Sequence, residues 1–365
     1  MFNKNLHIWI GSFFMQGLRA SIPRHREGCV DILFCVADHF EPMWLKPNYQ
    51  TECTRVETWC SQYPLLANRH RDADGSPHRH TFFYPAEEYR PEHLDALAKL
   101  CQSGYGEVEI HLHHDNDTPE GFVEKLEKFK QLLSENHGLL CKEASAGQIQ
   151  YGFIHGNWAL NNSRKDGRWC GVNSELALLK KTGCYADLTL PSAPSETQTK
   201  KINSLYYATD DTTRPKSHDT GIDVQVGRRP SGDLLMIQGP LALNFKRRKF
   251  GLLPKIENGE ITGDNPATPQ RADLWIDQQI QVKGRPEWIF VKVHTHGAQE
   301  RSFDALLGQP MGDLLSYLET NYNDGASFRL HYVTSREMYN IIKAAEDGKT
   351  GNPNVYRNYR LTAAY

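Results

Sequence analysis

The densest group of reactive side chains in this sequence is Glu107-Val-Glu-Ile-His111-Leu-His113-His114-Asp115-Asn-Asp117, with three imidazoles followed by two carboxylates. Imidazole nitrogen and carboxylate oxygen are the ligands of catalytic zinc and related divalent ions, and a set of three protein ligands leaves a position open for water. His111 and His113 are two apart, so on a strand they share a face. His114 points the other way unless the chain has already turned, which places it behind the ligands. Asp115 follows His111 by four and comes within reach of the same ion once the chain leaves the strand. Spacing alone leaves His113 and Asp115 competing for the place beside His111.

Three other segments carry reactive groups directly after an apolar run: Ala37-Asp38-His39-Phe40-Glu41-Pro42, His155-Gly-Asn157-Trp158 and His294-Thr-His296-Gly297. A single histidine or an isolated Asp-His pair is ordinarily a packing or turn residue. Recurrence at successive strand ends is what points to a metal site, with Asp38-His39 and one of His294 and His296 meeting the His111 strand. Glu41, before Pro42, suits a loop cap as well as a reactive role. His78 and His80 stand at the start of a strand, the end away from the chemistry, and are expected to be structural.

Bringing these segments to one place requires parallel strands, whose carboxyl ends gather ligands. Eight short β-rich runs are readable: 30–36, 80–84, 107–112, 149–154, 185–189, 234–238, 288–293 and 328–333. Between them the 3.6-residue period marks helices over 91–100, 118–133, 174–181 and 335–343. Thr118 with Pro119 is a strong start signal, and Ser335 is read as the cap of the last helix. The pattern predicts an α/β fold, an irregular (β/α) barrel of seven or eight parallel strands, in a single domain over 1–365. A long loop-rich insertion is expected at about 191–286, where one or two strands are evident.

The chain has 365 residues, 39% hydrophobic and 24% charged, enough for one large core. A formal charge of −2 offers no broad attraction to nucleic acid or anionic membrane, so neither is expected as a partner. Eight cysteines are scattered without a C-x-x-C pair, which argues for buried thiols in a reducing compartment rather than a thiolate metal site. His7–Met15 reads as an element of the fold, not a signal peptide, and no run approaches the ~20 apolar residues of a membrane span. A cytoplasmic location follows as the expectation.

The order of these strands resembles the polysaccharide deacetylase superfamily, the NodB-like carbohydrate esterases. Val36-Ala37-Asp38-His39 stands where that family has its Thr-Phe-Asp-Asp strand end. His80-Thr-Phe-Phe83 is similar to its second strand, Glu107-Val-Glu-Ile-His111 with His113 or Asp115 to its metal strand, and Val291-Lys-Val-His294 to its last motif. His39 replaces an aspartate, and Gly152-Phe-Ile-His155-Gly-Asn157-Trp158 lacks the family's arginine. The resemblance covers roughly residues 30 to 340. It implies a divalent ion, most simply zinc with manganese, nickel or cobalt as alternatives, and removal of an acyl group from a carbohydrate. On that basis His39, His111 and either His113 or Asp115 are the ligands, Asp38 the general base and His294 the general acid. His155, Asn157, Trp158 and Asp187 contact the substrate. A metal-dependent phosphoesterase and a non-catalytic carbohydrate-binding relative are the alternatives.

Overall fold

The computed structural model describes residues 5–20, 28–249 and 252–365. Val30–His39 (β1) is buried along its whole length, as a parallel strand covered on both faces must be. Around it lie His80–Pro85 (β2), Gly106–Leu112 (β3), Ile149–His155 (β4), Cys184–Asp187 (β5), Leu205–Ala208 (β6), Leu234–Ile237 (β7), Trp288–Thr295 (β8) and Phe328–Tyr332 (β9). They form one sheet in the order β8-β1-β2-β3-β4-β5-β7-β6, with β9 beside the first half of β1. Every one of these pairings is parallel except β6 with β7. Glu260–Ile261 extends the β8 edge and Ile222–Asp223 the β6 edge. The fold is a large, mostly parallel α/β sheet; among the described residues no ladder joins those edges, and a single parallel bridge pairs Gln225, just past the Ile222–Asp223 edge, with Lys283, ahead of β8.

Period-two alternation sorts the side chains. Ile32, Phe34 and Val36 of β1 pack outward with Trp59, Tyr63 and Leu66 of Tyr49–Ala67 (the helix after β1). Leu33, Cys35 and Ala37 face inward, where Met338, Ile341 and Ile342 of Ser335–Glu346 (the last helix) fill the other side. By the same alternation His39 lies on the inner face and Asp38 on the outer. In β3, Val108, Ile110 and Leu112 belong to the outer core, which turns Glu107, Glu109 and His111 inward.

All eight expected strand segments form. The helices at Pro91–Leu100 and Pro119–Gln131 start where proposed, the second capped by Thr118, whose side chain accepts from Gly121 N–H at 3.1 Å. Three expectations need correction. Thr334, not Ser335, caps the last helix, because Thr334 and Glu337 close a reciprocal capping box. The segment 191–286 is more ordered than its composition suggests: β6 and β7 join the main sheet, Ala242–Lys249 pairs with Leu253–Glu257, and Pro269–Asp277 is helical. Helices at Tyr49–Ala67, Glu300–Leu307 and Gln309–Asn321 were not evident from the pattern. In the first of these the buried face includes Glu52 and Arg55, which breaks the apolar stripe that periodicity seeks.

Near the amino end, Leu6–Ala20 is a helix whose Trp9 is fully buried against Ala193, Ile202 and Leu241. Among the described residues no helix is long and apolar enough to cross a membrane.

Candidate metal centre

The carboxyl ends of β1, β3 and β8 converge on the inner face. His39 ends β1, His111 is the next-to-last residue of β3, and His296 follows β8 by one residue. The His39 ring lies 4.9 Å from that of His111 and 4.7 Å from that of His296, centroid to centroid. Glu41 joins two overlapping triads with metal-ligand spacing, His39-Glu41-His296 and Glu41-His111-His113.

The ring tautomer of His111 is fixed by its surroundings. Its Nδ1–H donates to Ile154 O at 2.8 Å, so Nε2 presents a lone pair, and that lone pair stands 3.2 Å from Glu41 Oε1. Two acceptors face each other there, an arrangement that a proton or a cation between them resolves. A hydrogen-bonded Nδ1 behind a bare Nε2 is also how metal-bound histidines are oriented. His113 mirrors it: Nδ1 lies 2.5 Å from Glu87 Oε1, and Nε2 points at Glu41 Oε1 from 3.4 Å. His39 and His296 have no side-chain hydrogen bond to the described residues, and His294 Nδ1 is buried without one. His39, His111 and Glu41 are buried, whereas His113 and His296 are half-buried, so the group opens on one side.

Electrostatics follow from this crowding. Burial, and then the imidazoles of His296 and His111, holds His39 well below the usual histidine range. Burial pushes Glu41 up, but the imidazoles of His111, His113 and His296 beside it outweigh that and hold the carboxyl well below its ordinary range. Burial opposes a charge on His113, yet hydrogen bonds to Glu41 and Glu87 raise it to about 10. The site is anionic at Glu41 and holds a neutral imidazole at His39, the kind of donors a divalent ion selects.

The loop after β1 is fixed from two directions. Arg55 reaches across to donate to Pro42 O at 2.7 Å and Trp44 O at 2.9 Å while pairing with Glu300. Glu88 accepts the Met43 N–H at 2.7 Å. Glu41 is therefore held on a short, pinned turn.

Several expected site residues lie elsewhere. Asp38 is fully buried on the outer face, with Oδ2 2.9 Å from His80 Nε2 and Oδ1 accepting Gly297 N–H at 2.6 Å. Trp59 Nε1 donates to Gly297 O at 2.7 Å. A Cβ at 297 would come within 2.0 Å of Asp38 Oδ2, so glycine is required by crowding. Asp38 thus clamps the turn that carries His296, and His80 is its partner rather than a residue remote from the site. Asp115 is exposed and caps the Trp169 N–H at 2.6 Å; it does not join the imidazoles. Asp187 is buried, bound to Thr189, and raised by burial to about 7. His294 lies on the inner face, 6.4 Å from the His39 ring.

Trp158 is half-buried, with its ring 6.4 Å from that of His296, and Asn157 beside it adopts a left-handed φ of 54°. His155 points to the outer face and joins His114, Cys170 and Glu175 in a second, fully buried group. Sequence reasoning left Glu41 open between a loop cap and a reactive role, and missed Glu87, Cys170 and Glu175. Only Glu41 carried a local signal, its place two residues beyond His39.

A scan against protein-family models finds no match along the chain, and a search of curated proteins finds no similar relative.

Proposed function

We propose that the chain is a metal-dependent hydrolase that removes acyl groups from a carbohydrate, on a parallel sheet that curves into an incomplete barrel. The observation that carries the proposal is the convergence of His39, His111, His113 and His296 on Glu41, sealed behind and open in front. His39, His111 and Glu41 would hold the ion, with His296 and His113 at its open side. Zinc suits this donor set, with manganese, nickel and cobalt as alternatives. A divalent ion supplies Lewis acidity there, activating water and polarising a carbonyl. Glu87 and Glu41 hold His113 in its protonated form, so His113 Nε2 can give a proton to a leaving group at the open face and recover it afterwards. Proton transfer thus falls to the His113-Glu87 pair and not to Asp38, since both Asp38 oxygens are engaged on the outer face. Trp158 offers an apolar ring beside the opening on which a sugar can stack.

The shared Glu41 also suits a carboxylate bridging two ions, the arrangement of metal phosphoesterases, and this favours phosphoester hydrolysis as the second reading. One assay separates the two. Protein stripped of metal and reloaded with zinc, manganese, nickel or cobalt is given acetylated amino-sugar oligomers and, separately, an aryl phosphate. Metal-dependent acetate release, absent in His111→Ala, is the expected result. Phosphate release without acetate would move the assignment to the second reading. Neither activity from metal-loaded protein would leave a carbohydrate-binding relative.

A further inference from the structure

We propose that His114, His155, Cys170 and Glu175 form a second metal site, a closed structural zinc site that pins the 156–174 loop to the sheet. The four side chains come from the end of β3, the end of β4, the loop itself and the first residue of the helix Glu175–Lys181. All four residues are buried, and their candidate ligand atoms lie within 4.8 Å of one another. Neither the open centre nor its hydrolytic role is needed for this assignment.

Lone-pair geometry carries it. His155 Nδ1–H donates to Gly156 O at 2.6 Å, and His114 Nδ1 is 3.0 Å from the Asp117 carboxylate, so each neutral ring presents a bare Nε2 inward. These two Nε2 atoms are 2.8 Å apart, and each is 3.3 Å from Glu175 Oε1. With both rings neutral three acceptors converge in a space sealed from water, and either a proton on His114, favoured by Glu175 and Asp117 against burial, or a cation among them satisfies all three. Cys170 Sγ lies 3.4 Å from Glu175 Oε2 and receives two backbone N–H groups, from Asn162 at 3.3 Å and Val172 at 3.4 Å. Burial and the Glu175 carboxylate push the Cys170 thiol up and the two backbone donors oppose that, so a bound ion would take the place of the thiol proton that now faces Glu175.

The groups behind the ligands are in place as well. Asp117 orients His114 and is itself held by Lys125 at 2.8 Å and Thr118 N–H at 2.9 Å, a carboxylate-histidine pair of the kind that supports zinc. Bond lengths of about 2.0 to 2.3 Å put tetrahedral ligand atoms about 3.3 to 3.8 Å apart. The two Nε2 atoms, 2.8 Å apart, must part by about half an ångström, and the Cys170 sulfur, within 4.8 Å of them, must close on the ion to meet that geometry. Two nitrogens, one sulfur and one carboxylate suit zinc above magnesium or calcium, and four protein ligands leave no place for substrate. The site's task is structural: the loop it ties down has no long element of its own and carries Trp158 to the open centre.

Cobalt reports the thiolate directly. In a His39→Ala/Glu41→Gln variant, which disables the open centre, the cobalt-loaded full chain should still bind one ion. It should show a sulfur-to-cobalt charge-transfer band in the near ultraviolet. Cys170→Ser should lose that band and one equivalent of metal, and zinc should shield Cys170 from alkylation in peptide mapping. Asp117→Asn should weaken zinc about ten- to a hundredfold. If Cys170→Ser does not fold, the band and the alkylation map of the His39→Ala/Glu41→Gln protein decide alone. Cobalt protein without the band, or Cys170 alkylated equally with and without zinc, overturns the proposal. Absence of hydrolysis from the unsubstituted, metal-loaded protein with the band present would count against the open centre only.

Discussion

Asp38 has no solvent exposure and two engaged oxygens, so replacing it perturbs the packing behind the centre before it perturbs chemistry. Asp38→Asn keeps an oxygen for Gly297 N–H but turns an amide toward His80. We expect a loss of about 1 to 3 kcal/mol in urea unfolding, with metal retained and turnover reduced, not abolished. Abolished turnover at unchanged stability would return Asp38 to the base role. Glu109 gives a pH test. It is fully buried, accepts from Tyr185 at 2.6 Å and Gly152 N–H at 2.5 Å, and burial raises it to about 8. The folded state therefore holds a proton that the unfolded chain releases near pH 4.5. Stability should fall as pH rises from about 4.5 to 8 and level off above. Glu109→Gln should flatten that slope in melting curves taken at pH 5, 7 and 9, and an unchanged slope would reject the assignment. At this scale the sequence shows His111 and His39 because each ends an apolar strand. It hides Cys170 and Glu175, whose partners are distant in the chain and which no fixed spacing links.

At the scale of elements, strands were the legible part, because burial on both faces produces the continuous apolar runs that define β1 and β8. Faces were legible too: two-residue alternation correctly separates His111 from its neighbours. What it cannot reveal is how far a strand continues, so Asp38 and His39, on opposite faces of β1, read as a single pair. The helix Tyr49–Ala67 was obscured by Arg55, a buried cation satisfied by carbonyls from another segment. Caps are decided by similarly small differences. Thr334 accepts Glu337 N–H at 3.2 Å and donates to Glu107 at 2.9 Å, whereas Ser335 has only a 3.6 Å contact with Cys35. Thr334→Ala should cost about 1 to 2 kcal/mol by chemical denaturation, and Ser335→Ala well under half of that. Equal costs would place the cap at Ser335 after all.

For the molecule as a whole, the amino-terminal helix is a separate packing unit. Trp9 sits in a satellite cluster with Ile202, Leu241 and Leu243, apart from the two cores that line the sheet. Trp9→Ala should cost about 3 kcal/mol at that cluster, seen as faster amide exchange over residues 6–20 while β1 and β8 stay protected. Exchange rising equally in the sheet would mean the helix belongs to the main core. The long 191–286 segment follows the same logic, since its strands are too short to declare themselves until the sheet edge supplies partners. The two metal groups are also a single system through one peptide bond. His113 leans toward Glu41 and His114 toward Glu175, so the two consecutive residues just after β3 serve opposite sides of the chain. An ion that fixes the backbone at one of them alters the other's freedom, and equilibrium linkage makes the effect reciprocal. Whatever factor zinc at the buried group adds to affinity at the open one is returned in equal measure. If both groups bind zinc, its uptake by this protein should be cooperative, with occupancy of the buried group shifting the zinc concentration at which the exposed one fills.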